Sequence, residues 1–444
     1  MKKISTLNSH WLWIFTSFAL LAGCGHQNEV SKSEKSAQNN IDLLGVQSAE
    51  SCSVEVDPFR ELAIVSPFVV EDQRALPGGP WHFSTLIRNM LPQTSTPKDF
   101  STFMKSWLRE WATINTINGY PVGERGGIES TIICPWANAS NGKGDCSGDL
   151  DPNLAPFRLL TIVNRMDLRD KQNPLSAGEG RFVFGLLDMP TNDPTREGSA
   201  LNLTLIMEYG LPVTSNRSVK DWAEAWHTLG SAKNTCTSND GCEPYRIALE
   251  AVTNRFSGHG VAPSKPEGNA LNQIRTNEIA LGAGWELREF HLVKKDSSVA
   301  MQSVSTAQTP DLSFNATEDL ATYCKEHESD ILAGTYKLPQ KWLTGAAPEG
   351  VGQWQIPGVS EEVRFQFSKN TCNGCHADES DRIPSIRGFF HVSPHESAGK
   401  SRLSTFVKRD ELPLRSMFLK EILAPEQCKT AGRANREFGT TRVH

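Results

Sequence analysis

Five consecutive residues, Cys372-Asn373-Gly374-Cys375-His376, place two thiols and an imidazole within about one turn of chain. Whatever fold surrounds them must bring these groups to one small patch. CxxCH is the attachment signature of a c-type haem. Two intervening residues let the two sulfurs reach two vinyl groups, and the adjacent His376 falls beneath the iron as proximal ligand. The expected cofactor is haem c, held through Cys372 and Cys375. Spacing does not choose the distal ligand: Met417, His391 and His395 are all available, and the iron could stay five-coordinate. The thiols also have rival uses. Cys372 or Cys375 could bridge to Cys324 or Cys428, or Cys372 and Cys375 could hold zinc together with His376 or His391.

The compartment decides which of these can form. Met1-Lys2-Lys3 followed by the largely apolar run Trp11 to Ala22 has the make-up of a secretory signal, and the run is too short for a comfortable membrane span. Leu21-Ala22-Gly23-Cys24 resembles the lipobox of bacterial lipoproteins. That resemblance implies a signal peptide over 1–23 and an acylated Cys24 as the mature N-terminus and membrane anchor. Gly25 follows the cysteine where an inner-membrane retention signal would place Asp, so the enterobacterial sorting rule implies the outer membrane of the cell envelope. Residues 24–50, rich in Ser, Lys, Glu, Gln and Asn, read as a solvated tether spanning roughly 25–30 Å. An envelope location is oxidising, and it is also where c-type haem is attached. The formal net charge of −6 gives no electrostatic footprint for nucleic acid, and the basic residues form no polybasic membrane patch.

The chain has ten cysteines, and setting Cys24 aside leaves nine. Cys134 and Cys146 flank a loop-type segment, and Cys236 and Cys242 flank Thr-Ser-Asn-Asp-Gly, so each pair is expected to form a local disulfide. Such staples contribute roughly 2–3 kcal/mol each on a chain-entropy account. If haem takes Cys372 and Cys375, then Cys52, Cys324 and Cys428 remain and one of them is unpaired. Without haem the remainder is again odd.

Periodicity predicts an α+β body over 51–344 and a smaller CxxCH segment over 345–444, joined by a linker at Gly345–Gly352. Short buried strands are expected at Leu62–Val65 and Phe68–Val70, and longer ones at Phe157–Met166, Arg181–Leu187, Leu201–Met207 and Trp285–Val293. Helices are expected over Ser101–Ile114, Asp221–Leu229, Tyr245–Phe256 and Asp410–Leu423. The pairs Trp107/Trp111 and Trp222/Trp226, each four apart, read as core stripes. Val363–Phe367 alternates like a strand. No internal repeat of 20–50 residues is visible.

Charges inside otherwise apolar strands mark a second candidate site. In Thr161–Arg169, alternation puts Arg165, Asp167 and Arg169 on one face, and Arg181 stands opposite Phe182 and Phe184. Buried charges must be paired or solvated. One reading is a cross-strand ion-pair network; the other is a polar pocket for an anionic ligand. There is no Gly-rich phosphate loop, GxSxG elbow or HExxH to suggest a catalysed reaction, so none is assigned. His227 and His259 are isolated and read as structural or exposed.

The segments PFRLLTIVNRMDLRD, GEGRFVFG, RTNEIAL, WELREF and NTCNGCH together resemble a group of predicted bacterial lipoproteins with no assigned activity. The C-terminal CxxCH stretch resembles a mono-haem cytochrome c domain, with Pro384-Ser385-Ile386 where such domains often carry a Pro-x-Leu element. This resemblance implies electron transfer with a redox partner protein. It departs from the cytochrome pattern in the strand-like lead-in before Cys372. The alternative is a haem-free, disulfide-stapled envelope lipoprotein that binds a ligand or partner.

Overall fold

The computed structural model describes residues 54–142, 144, 146–170, 173–188, 200–231, 236–282, 284–296, 298–348, 354–376, 379–380, 390–395 and 402–425. The signal segment, Cys24, the tether, Cys52, Pro384–Ile386 and Cys428 lie outside them. All described residues belong to one compact unit, Cys52–His444.

The architecture is α+β. Its frame is an antiparallel sheet containing β1 (Ala63–Ile64), β4 (Phe157–Arg165), β5 (Ser176–Leu187), β6 (Ala200–Pro212), β7 (Leu271–Glu278), β8 (Glu286–Lys295), β9 (Ser298–Val304) and β10 (Ala346–Pro348), while β2 (Asn115–Ile117) and β3 (Tyr120–Val122) pair as a separate hairpin. The spatial order is β1-β4-β5-β6-β7-β8, after which the two halves of β8 pair with different strands: Glu286–Arg288 with β10 and Glu289–Lys295 with β9.

Because successive side chains point to opposite faces, register fixes two surfaces. Phe182, Met207, Ile274 and Phe290 share one face, through the partners Phe182↔Met207, Met207↔Ile274 and Ile274↔Phe290. Helices cover it. Helix Pro97–Leu108 starts at a capping box of Thr96 and Asp99 and buries Phe100, Met104 and Trp107; Trp111 follows in a tight turn and packs 4.5 Å from Phe290. Helix Val219–Thr228, with a capping box of Ser218 and Asp221, buries Trp222 and Trp226, and both rings pack on Phe256 of helix Glu243–Ser257. On the opposite face the partners Arg181↔Glu208, Ile206↔Arg275 and Arg275↔Glu289 bring charged residues together.

Three sequence expectations fail here for physical reasons. Phe68–Val70 lies in a helical turn, Pro67–Val70, because Pro67 presets the first helical position. Val363–Phe367 lies in helix Glu361–Lys369; Ser360 caps its N-terminus, and Val363, Arg364, Phe367 and Ser368 form its buried stripe, a helical spacing hidden by local alternation. The expected linker contains β10, hydrogen-bonded to β8, so Ala346–Pro348 is part of the sheet. Residues beyond it also enter the main core: Leu403, Phe406, Leu412, Phe418 and Leu419 pack with residues of the body.

Candidate functional site

Helix Glu361–Lys369 leads through Asn370 and Thr371 into a single helical turn, Cys372–Cys375. Thr371 organises the turn. Its Oγ1 accepts from the Gly374 amide at 3.1 Å and from Trp354 Nε1 at 3.1 Å, and donates to the Ser368 carbonyl at 2.7 Å. A Cβ on Gly374 would collide with the Ser368 carbonyl, so this close approach requires glycine. The Cys372 amide is anchored by Thr309 Oγ1 at 3.0 Å.

Both thiols are buried, at 0% and 1% exposure. Cys372 packs with Trp285, Leu287 and Ala347, and Cys375 joins the main core with its Sγ 3.3 Å from His391 Nε2. Burial pushes the Cys372 thiol up to about 11 and the Cys375 thiol well above its ordinary value. Both are therefore neutral thiols at neutral pH. His376 ends the turn, stacked on Trp285 at 5.1 Å between ring centroids, and its ring lies 4.4 Å from that of His391. His391 also meets Phe406 at 5.2 Å and Ser404 Oγ at 3.3 Å. Burial, followed by the fields of His376, Arg415 and Arg165, holds the His391 imidazole well below its usual range, so it is neutral.

These imidazoles border a small cavity of about 80 Å³. The sheet supplies one wall through Arg165, Arg181, Thr204 and Asn277, with Val163, Val183 and Ile206 between them; Leu403, Phe406 and Val407 close the other side. His376 of the motif and Arg165 and Arg181 of the strand site thus border one space, while Cys372 and Cys375 do not line it. Of the three candidate distal ligands, only His391 lines this cavity. Met417 is 42% exposed on helix Leu412–Leu423, and His395 bonds Asn202 Oδ1 at 2.6 Å.

The guanidinium groups are engaged by carboxylates. Strand β4 stops at Arg165, and Met166–Leu168 forms a tight turn, so Asp167 and Arg169 do not continue the strand face as alternation predicts. The turn instead folds Asp167 back onto Arg165, at 3.0 and 2.9 Å. Glu411 adds a carboxylate 3.9 Å from Arg165 and pairs with Arg415 at 2.9 Å. Arg181 meets Glu179 at 2.7 Å and Glu208 at 3.2 Å. Arg169 does not line the cavity. This is the geometry of a cross-strand ion-pair network. Glu411 and Arg415 were not singled out from the sequence, although their i,i+4 spacing on the expected helix could have drawn notice. Trp285 and Thr309 carried no such signal, because their relation to the motif is made by β8 and the loop after β9.

The disulfides Cys134–Cys146 and Cys236–Cys242 are both present. Cys324 is a free buried thiol in a separate apolar cluster with Leu320, Tyr336 and Trp354, so the bridge considered from Cys324 to Cys372 or Cys375 is not formed. Burial pushes its thiol up to about 12. The zinc arrangement is not assembled either: among the described residues no three His, Cys, Asp or Glu side chains are grouped to hold a metal ion. His227 pairs with Glu61 at 2.9 Å, and His259 lies 3.3 Å from Gln93. Among the described residues no helix is long and apolar enough to cross a membrane. No family model, curated protein or solved structure matches the chain.

Proposed function

We propose that this protein is a lipoprotein of the bacterial cell envelope, anchored in the outer membrane through Cys24, that carries one c-type haem on Cys372 and Cys375 and exchanges electrons with a partner protein. The observation that carries this reading is the meeting of His376 with the neutral imidazole of His391 at one largely apolar-walled cavity. The helix leading into the motif supports it, since cytochrome c domains commonly approach CxxCH from a helix.

The motif has the chemistry that haem c would need, and its two sulfurs lie outside the lining of the cavity. Cys372 and Cys375 are unbridged thiols, and each can add S–H across a vinyl C=C, sulfur to one carbon and hydrogen to the other, with no oxidant consumed. His376 would be the proximal ligand. A bound haem would supply a one-electron couple tuned by its axial ligands and the dryness of the pocket. His391 is the favoured distal ligand over Met417 and His395.

Protein matured in cells with haem-attachment machinery should retain a haem stain on a denaturing gel, and Cys375→Ala should lose or strongly reduce it. His391→Ala should keep the stain and change the axial-ligand spectrum. Folded protein with the intact mass of the unmodified mature chain would overturn the proposal. Loss of membrane association in Cys24→Ser checks the anchor.

A second reading, a haem-free binding lipoprotein stapled by its two disulfides, is favoured by one observation: Cys372 packs in its own apolar cluster and does not line the cavity. Peptide mapping that finds both motif thiols in thioether linkage rules it out.

A further inference from the structure

The charged face of the sheet continues past Arg181 into a second and larger space, an open cleft of about 590 Å³. Arg181 lines both spaces. The cleft floor comes from β5, β7 and β8, and its walls from the loops around Ser305 and Lys337.

The floor is balanced in charge and internally bonded. Glu179, Glu208 and Glu289 stand against Arg181, Arg275 and the exposed Lys337 at the mouth. Arg275 holds Glu289 at 3.0 Å and Glu208 at 3.6 Å, and Gln273 donates to Glu208 at 2.6 Å. An incoming anion would find the buried guanidiniums already engaged, with carboxylates beside them. A cation would find the carboxylates engaged. Either would have to break buried pairs, which is costly.

Single hydrogen-bonding valences remain. Ser305 Oγ accepts from Gln340 at 2.7 Å and keeps a proton to donate. His291 uses Nε2 on Glu289 at 2.9 Å, leaving its other ring nitrogen. Gln273 uses its amide nitrogen, leaving the carbonyl oxygen as an acceptor. Leu168, Val304 and Leu338 add apolar surface in the walls. Scattered donors and acceptors, floor charges already paired with one another and apolar strips suit a molecule with hydroxyls on its edges and C–H groups on its faces. We propose that this cleft binds an uncharged carbohydrate segment. The proposal does not depend on haem at the neighbouring cavity.

The test titrates the purified full chain calorimetrically with maltotetraose, cellotetraose and chitotetraose, with tetragalacturonate and inorganic phosphate as charged comparators. At least one neutral tetrasaccharide should bind saturably. Ser305→Trp, which fills the cleft from a loop outside the ion-pair network, should weaken it at least tenfold with an unchanged melting temperature. Ser305→Ala should weaken it severalfold, and Lys337→Ala should leave it nearly unchanged. Absence of binding by all three neutral sugars overturns the proposal. Binding of tetragalacturonate or phosphate alone, lost in Lys337→Ala, overturns the ligand class. Neutral-sugar binding unaffected by folded Ser305→Trp overturns the location.

Discussion

On one face of the sheet Glu278 lies against Trp111, whose Nε1 donates to it at 2.7 Å, with Phe290 packed on the same indole. On the other face Glu289 lies between Arg275 at 3.0 Å and His291 at 2.9 Å. The two carboxyls sit on neighbouring antiparallel strands and ionise in opposite directions. Burial pushes Glu278 up to about 7, against the weaker pull of Arg288 and Arg125 and with Glu286 adding to the rise. Burial would raise Glu289 too, but the Arg275 charge, the His291 hydrogen bond and the Ala307 amide together bring it down to about 2. Two buried carboxyls one strand apart can therefore differ in chemistry. On the face covered by aromatic helices, burial raises Glu278 even though the Arg125 guanidinium lies 3.6 Å away. On the face bordering the cavity and cleft, Arg181 and Arg275 hold Glu179 and Glu289 below the usual carboxyl range despite burial, while burial raises Glu208.

The largest expected effect breaks that register. Arg275→Met leaves Glu208 and Glu289 without a shared cation and should cost about 3–5 kcal/mol in denaturant unfolding. Adding Glu208→Gln should recover more than half, since the surplus charge is then gone. An Arg275→Met protein as stable as the parent would show that the pairs do not hold this face.

The next effect separates the two faces by pH. Between pH 4.5, the ordinary carboxyl value, and about 7, folded Glu278 holds a proton that the unfolded chain has released, so its share of stability falls as pH rises. The full loss is on the order of 3 kcal/mol. Glu289 behaves in reverse: its contribution is present above pH 4.5 and is lost as pH falls toward 2. Unfolding curves across pH should lose the first limb in Glu278→Gln and the second in Glu289→Gln. The smallest effect is expected at Met417, exposed on its helix. Met417→Ala should move stability by no more than about 0.5 kcal/mol and leave any haem spectrum unchanged.

The parts of the fold governed by local chemistry were legible in the sequence. Apolar spacing and Trp pairs placed the covering helices, alternation placed β4, β5, β6 and β8 but not β7, and loop composition paired Cys134 with Cys146 and Cys236 with Cys242. Elements whose local pattern competed with a neighbour were not. The alternation of Val363–Phe367 concealed a helix stripe, and a Gly-rich stretch concealed β10, whose partner strand lies far away in sequence. At the site, Cys375, His376, Arg165 and Arg181 were readable one by one. Their convergence was not, because it is made by β5, β8 and the packing of helix Leu412–Leu423. The choice of His391 over Met417 and His395 likewise depends on which side of a loop or helix faces the cavity, and spacing does not encode that.

The burial of both motif sulfurs has a consequence for the protein's biogenesis. With Cys372 and Cys375 at 0% and 1% exposure, a maturation enzyme cannot reach them once β10 has zipped onto β8 and Phe406 has closed over His391. Any bond made to either sulfur must be made earlier, while the C-terminal segment is still open. Modification and the last stage of folding therefore compete in time, and a chain that closes first is committed to its unmodified form until it opens again.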